Sequence, residues 1–126
     1  MMLQTLKCSN KNVSELGPVV ACAMLQTLDC SSCRLVSDLG PLSACTMLQT
    51  LCCSDTRVLE LGPLSACTML KTLVCNNNEV SELGPLSACM MLRTLDCSGF
   101  ESLPVQAWGL QVTRPHLRIN GNYMAA

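Results

Sequence analysis

The sequence predicts an α/β solenoid in which short parallel strands stack into one ladder. A unit of about 22 residues recurs along the chain, and its leucines return at Leu6, Leu28, Leu51, Leu73 and Leu95. Hydrophobic residues make up 49% of the 126 residues but aromatic residues only 2%, so the core has to consist of aliphatic side chains and cysteine. Thin stacked layers suit such side chains, because each layer buries its apolar face against its neighbours.

Each unit is expected to begin with a strand. Side chains alternate along a strand, so Leu28 and Cys30 should point inward while Thr27 and Asp29 point outward. Strands of successive units lie about 4.8 Å apart and form a ladder of six. One further step of 22 residues predicts that the sixth strand is centred on Leu117.

The second half of each unit is expected to return along the opposite side. Gly40 permits a tight turn there, and Pro41 suits the first position of a short helical turn. After their strands, the second and fifth units carry one extra residue, which shifts Val36 and Leu103 by one position.

The fourth unit carries the pattern L-x-x-L-x-C-x-x-N-x-V at Leu70, Leu73, Cys75, Asn78 and Val80. This pattern resembles the leucine-rich-repeat family, most closely its internalin-like and SDS22-like subclasses, with features of the cysteine-containing repeats. The resemblance implies a right-handed arc with the strands on its concave face and short helical or 3-10 turns and loops on its convex face. We expect a single domain over residues 1–126, with five clear repeats from about 2 to 99 and a degenerate segment over 100–124.

The chain departs from the family at the position that the family fills with asparagine. Only two of the six units keep it, and the position is held in turn by Lys11, Cys33, Thr56, Asn78, Phe100 and Asn122. Thr and Cys can partly replace the asparagine side chain in bonding the backbone of the turn. Lys and Phe cannot, so both ends of the ladder should be less regular.

Nine of the eleven cysteines fall into two inward ladders. The strand ladder holds Cys8, Cys30, Cys53, Cys75 and Cys97, and the return ladder holds Cys22, Cys45, Cys67 and Cys89. Free cysteine packs as a small hydrophobe, and stacking in register rarely gives the side-chain vectors of a disulfide. Reduced core thiols are therefore favoured over disulfides or a metal site, and they favour the cytoplasm or another reducing compartment. Cys33 and Cys52 stand outside these ladders, and Cys52 should lie on the outer strand face, where it is the better candidate for a modifiable thiol.

Several classes of function find no support. The net charge is −1 without a basic run, which disfavours nucleic acid, and no stretch reaches the roughly 20 apolar residues that span a bilayer. The first eleven residues lack the pattern of a secretory leader. The sequence shows no Ser/His/Asp or Cys/His pattern around His116, its only histidine, and we expect neither an enzyme nor a cofactor. Asp29 and Asp96 share a face but lie about 14 Å apart, too far to cooperate as a carboxylate pair.

The composition changes near the end of the chain, where Phe100, Trp108 and Tyr123 are the only aromatic residues. Trp108 is interpreted mainly as a cover for the open core, and a partner-binding role is the alternative. Neither end carries the polar cap that a solenoid needs. The array is therefore expected to belong to a longer protein or a larger complex, and strand edges at Leu6 or Leu117 could pair end to end.

The outward strand face is the candidate binding surface. Its threonine column recurs in five units and is explained by strand reinforcement. The neighbouring outward and loop positions vary between units, and from them we predict partner contacts at Lys7, Asp29, Cys52, Val74, Asp96, Arg118, Asp55 and Asn77. The predicted function is a non-catalytic protein–protein interaction module or adaptor that binds a protein partner through the concave face. The alternative is a structural subunit, or a piece of a larger repeat protein, that contacts its neighbours through uncapped ends.

Overall fold

The computed structural model describes residues 4–8, 16–76, 80, 82–97, 110 and 116–120. Each of the first four units has a three-residue strand and a described five-residue return segment, and two further strands follow. The strands are β1 Thr5–Lys7, β2 Thr27–Asp29, β3 Thr50–Cys52, β4 Thr72–Val74, β5 Thr94–Asp96 and β6 Arg118–Asn120. The return segments are the 3-10 helices η1 Gly17–Ala21, η2 Gly40–Ala44, η3 Gly62–Ala66 and η4 Gly84–Ala88.

The six strands form one parallel sheet in the order of the sequence. Leu6, Leu28 and Leu51 are successive partners in the register, and the same register continues through Leu73 and Leu95. The 3-10 helices stack on one another in the same order. This arrangement confirms the predicted solenoid of parallel strands and short helical return turns.

The sixth strand does not have the predicted register. Ile119, and not Leu117, lies opposite Leu95, so the last step is 24 residues instead of 22. Leu117 and Ile119 are both buried, because a shift of two residues leaves the same face of the strand inward. The alternation of side chains therefore cannot distinguish the two registers.

The core lies between the sheet and the 3-10 helices. The inward leucines of the middle strands and of the return segments have no exposed surface, as Leu28, Leu51, Leu42 and Leu64 show. In the return segments a proline occupies the first helical turn, as predicted for Pro41. Apolar side chains from both halves of a unit thus meet in one continuous core cluster.

All eleven cysteines are free thiols, in agreement with the predicted reduced core. In the return ladder the thiols of Cys45, Cys67 and Cys89 each donate a hydrogen bond to a carbonyl of the preceding unit. Sγ of Cys45 lies 3.4 Å from the carbonyl oxygen of Val19, and Sγ of Cys67 lies 3.4 Å from that of Leu42. The ladder therefore links neighbouring units by weak hydrogen bonds in addition to filling space.

Cys33, which stands outside the two ladders, is also buried. Its Sγ donates to the carbonyl oxygen of Cys8 at 2.9 Å. Thr56 holds the same position one unit later, and its Oγ1 donates to the carbonyl oxygen of Cys53 at 2.8 Å. Thr56 thus bonds the backbone of its own turn, as we expected of a residue that replaces the asparagine of the family, whereas Cys33 bonds the backbone of the preceding unit.

The extra residue of the second unit is accommodated by a local turn. The amide of Val36 donates to the carbonyl oxygen of Cys33 at 2.9 Å, and Val36 is buried as Val58 and Val80 are in the next two units. This confirms the predicted shift of Val36 by one position.

Gly40 is the first residue of η2, where the chain turns as predicted. Its φ is not left-handed, but a Cβ there would lie 2.9 Å from Oδ1 of Asp38. The same carboxylate oxygen accepts a hydrogen bond from the Gly40 amide at 2.7 Å. At Gly62 and Gly84 a Cβ would meet no atom within 4 Å, so among these three positions only a Cβ at Gly40 would displace a neighbour, the end of the exposed Asp38 side chain.

No helix in the described ranges is long and apolar enough to cross a membrane. Several residues singled out by the sequence lie outside the described residues, namely Lys11, Asn78, Phe100, Leu103, Trp108, Asn122 and Tyr123.

Candidate functional site

The outward face of the sheet consists of three columns of side chains. The first is the threonine column, in which Thr27, Thr50, Thr72 and Thr94 are partners in register and half-buried. Arg118 continues this column opposite Thr94 and is exposed. The regular spacing had placed Arg118 opposite Asp96, a position that Asn120 occupies because of the two-residue shift of β6.

The second column carries most of the predicted contact residues. Lys7 is exposed, whereas Asp29, Cys52, Val74 and Asp96 are half-buried and aligned in register. Two apolar side chains therefore form its centre, with one carboxylate on each side. From the strand spacing, the two carboxylates lie three steps apart, or about 14 Å.

Cys52 is the cysteine at the centre of this column. Burial raises the pKa of its thiol, and the neighbouring Asp29 carboxylate raises it further. The thiolate is the reactive form of cysteine, so both effects disfavour reaction at neutral pH. Cys52 therefore presents a neutral, weakly polar side chain on the strand face.

The third column consists of Ser31, Ser54 and Asn76, all half-buried. The amide of Ser31 donates to Oδ1 of Asp29 at 3.1 Å, and the amide of Asn76 donates to Oγ of Ser54 at 3.0 Å. These bonds hold polar side chains of the face in fixed positions before any partner binds.

The loop that follows the strand has a backbone constraint that the sequence analysis missed. Ser32 has a φ of 63° and Asp55 a φ of 57°, in the left-handed region. Their amides donate to the carbonyl oxygens of the next unit, Ser32 to Ser54 at 2.8 Å and Asp55 to Asn76 at 2.9 Å. The signal was present in the sequence, because the other units hold Asn10, Asn77 and Gly99 there, and Asn and Gly tolerate this conformation.

This constraint changes the interpretation of two predicted contact residues. The residue type at Asp55 is restricted by the backbone, so its variation between units is not by itself a sign of binding. The Asp55 side chain is nevertheless half-buried and lies beside the third column. Asn77 lies outside the described residues.

Within the described part of the chain, no group of three or more His, Cys, Asp or Glu residues is placed to hold a metal ion. His116 is exposed, at the residue before the buried Leu117. What the strand face can offer a ligand is therefore shape, hydrogen bonds and a pattern of charge.

The solved structures similar to this chain include two internalins. Internalin C2 from Listeria monocytogenes aligns over 93% of the chain with a TM-score of 0.84 and 24% sequence identity. Internalin F from the same organism aligns over 94% with a TM-score of 0.80 and 24% identity. The chain covers 50% of the length of the first and 35% of the second. No family model and no curated protein matches the sequence. The backbone of this chain thus has the leucine-rich-repeat fold.

Proposed function

We propose that this leucine-rich-repeat solenoid is a non-catalytic protein-interaction module that binds a protein partner through its concave strand face. The observation that carries the proposal is the second outward column. Its side chains change from unit to unit, while the inward positions remain Leu or Cys in nearly every unit. Packing of the core therefore does not determine the residues of this column.

The strand face has the chemistry of a small interface. Cys52 and Val74 form an apolar centre, and Asp29, Asp96 and Lys7 supply charge around it. Interfaces commonly have such a centre and a more polar rim. Because the strands and the bonded third column hold these groups in place, little conformational entropy is lost on binding.

The size of the face indicates which further residues take part. Six strands of three residues give a surface about 24 Å by 10 Å. This is less than the roughly 800 Å² that each partner buries in a typical stable complex. The loop after the strands, including Asp55 and Asn77, is therefore included in the proposed contact surface.

We also propose that the protein functions in a reducing compartment such as the cytoplasm. This proposal is supported by the eleven free thiols, most of them packed inside the core. A buried thiol ladder suits an environment in which cysteines stay reduced.

The experiment is affinity capture from a lysate of the source organism with three forms of the chain. The native chain and a Glu60→Arg/Glu82→Arg control should retain the same specific protein, and Asp29→Arg/Asp96→Arg should lose it. The control carries the same change of charge at exposed positions on the return side. Circular dichroism and urea unfolding establish that all three forms are folded. Loss of the protein from the control alone would contradict binding through the strand face.

A second candidate is a structural subunit, or a piece of a larger repeat protein, that contacts its neighbours through its ends. It is favoured by the outer edge of β1, which pairs with β2 on one side and with no described strand on the other. If all three forms retain the same neighbours, and sedimentation shows association that depends on concentration, the ends are the contact surface.

A further inference from the structure

We propose that a groove on the return side of the solenoid binds a short cationic peptide segment that carries an apolar side chain. The groove extends over the second, third and fourth units and encloses about 700 Å³. Its lining includes Asp38, Leu59, Glu60, Pro63, Glu82 and Pro85, and we call it the return groove. It lies away from the strand columns, so this proposal is independent of binding at the strand face.

Carboxylates line up along the return groove. Asp38, Glu60 and Glu82 hold the same position in three successive units, two residues before each Gly-Pro pair, and all three are exposed. The strand ladder sets the step between units at about 4.8 Å, so the three charges form one row. Oδ1 of Asp38 accepts the Gly40 amide, whereas Glu60 and Glu82 make no hydrogen bond or ion pair within the described ranges.

Among the described residues, no positive side chain lines the return groove. The nearby Arg34 and Arg57 line a separate depression with Asp55 and Thr56. A concave surface lined by charges of one sign concentrates ligands of the opposite sign. The sign of the row disfavours a phosphate or nucleic-acid ligand, and charge complementarity favours a cationic occupant.

The wall of the groove explains the apolar part of the ligand. The Leu59 side chain is 55% exposed although it lies between the buried Val58 and Leu61. Two half-buried prolines, Pro63 and Pro85, lie in the same lining. An aliphatic side chain, or the methylene stem of a lysine, can cover these carbons while its neighbours reach the carboxylates.

The length of the row sets the size of the ligand. Three carboxylates span two steps, about 10 Å, and an extended chain covers about 3.3 Å per residue. Three residues therefore reach from the first carboxylate to the third. A basic pentapeptide with one apolar residue is long enough to occupy the whole groove.

The test is a titration of the 126-residue chain, labelled with ¹⁵N, by the blocked peptide Lys-Lys-Leu-Lys-Lys at low salt. Amide shifts should be confined to residues 37–39, 59–62 and 82–84, and should disappear when the salt is raised to about 0.5 M. Exposed ion pairs are weak, so we expect Glu60→Gln/Glu82→Gln to weaken binding by about fivefold. Asp38 is left unchanged because it caps the Gly40 amide.

The matched control is Asp29→Asn/Asp96→Asn, which removes the same charge from the strand face and should bind the peptide as the native chain does. Leu59→Ala should weaken binding of this peptide and leave binding of a peptide with glycine in place of leucine unchanged. The proposal is overturned if no amide shifts at low salt, if the shifts fall on the strand columns, or if both double variants weaken binding equally. These outcomes are separate from the capture experiment, which concerns the strand face.

Discussion

Leu51 lies at the middle of the third strand and has no exposed surface. Its partners in register, Leu28 and Leu73, are equally buried, and backbone hydrogen bonds hold the strands on both sides. Replacement of leucine by alanine in such a core lowers the free energy of unfolding by about 2.7–5 kcal/mol, depending on how far the site collapses. Because the ladder holds the neighbouring side chains in place, they cannot easily fill the cavity. We therefore expect Leu51→Ala to lower the free energy of unfolding by about 4 kcal/mol.

The assay is urea unfolding followed by circular dichroism, with Leu59→Ala as the matched control. The control removes the same atoms from a side chain that is 55% exposed, so its free energy of unfolding should change by less than about 0.5 kcal/mol. At about 4 °C per kcal/mol, the midpoint of thermal unfolding should fall by about 15 °C for Leu51→Ala only. A loss below about 1 kcal/mol for Leu51→Ala, or equal losses for both variants, would refute the assignment of Leu51 to a rigid core.

Three further changes test the turn and the thiol ladder. Thr56→Val removes the hydroxyl that bonds the carbonyl of Cys53, so urea unfolding should show a loss of about 1 kcal/mol that Thr56→Ser largely avoids. Because the backbone at Asp55 is left-handed, Asp55→Val should lower the free energy of unfolding by about 1–2 kcal/mol in the same assay, and Asp55→Gly should leave it unchanged. Equal losses for the two variants would contradict strain at this position. Burial, together with the neighbouring Cys89 and Cys45 thiols, raises the pKa of the Cys67 thiol from 9.0 to about 11, so the unfolded chain loses this proton at a lower pH than the folded chain. The free energy of unfolding should therefore fall as the pH rises from 9 towards 11, and urea midpoints at pH 8 and 10 should show a smaller fall for Cys67→Ala.

The arrangement of the core was predictable from the sequence because each unit can bury its leucines in only one way. Leu28 and Cys30 alternate with Thr27 and Asp29, and a slip by one residue would expose the first pair and bury the second. The outward column with Cys52 and Val74 follows from the same alternation. The strand part of the candidate site was therefore predictable as a surface.

Other features depend on information that alternation does not carry. The register of β6 was wrong because Leu117 and Ile119 are both apolar and share one face, so either can lie opposite Leu95. Cys33 lies in the turn beyond the strand, where the alternation of side chains no longer applies, and Thr56 at the same position of the next unit is buried as well. The return groove depends on the exposure of Leu59, whose type alone suggests a core residue.

The regular register of the middle strands also has a consequence for how the gene can change. Thr27, Thr50 and Thr72 follow one another in pairing, and the strong contacts between elements join only neighbouring units. Deleting residues 47–68 would remove one 22-residue unit whole and bring the second unit against the fourth, with leucine and cysteine again facing leucine and cysteine. Unequal recombination between such units could thus shorten or lengthen the protein by whole units. The outer columns would change, while the core side chains at the new junction would still match.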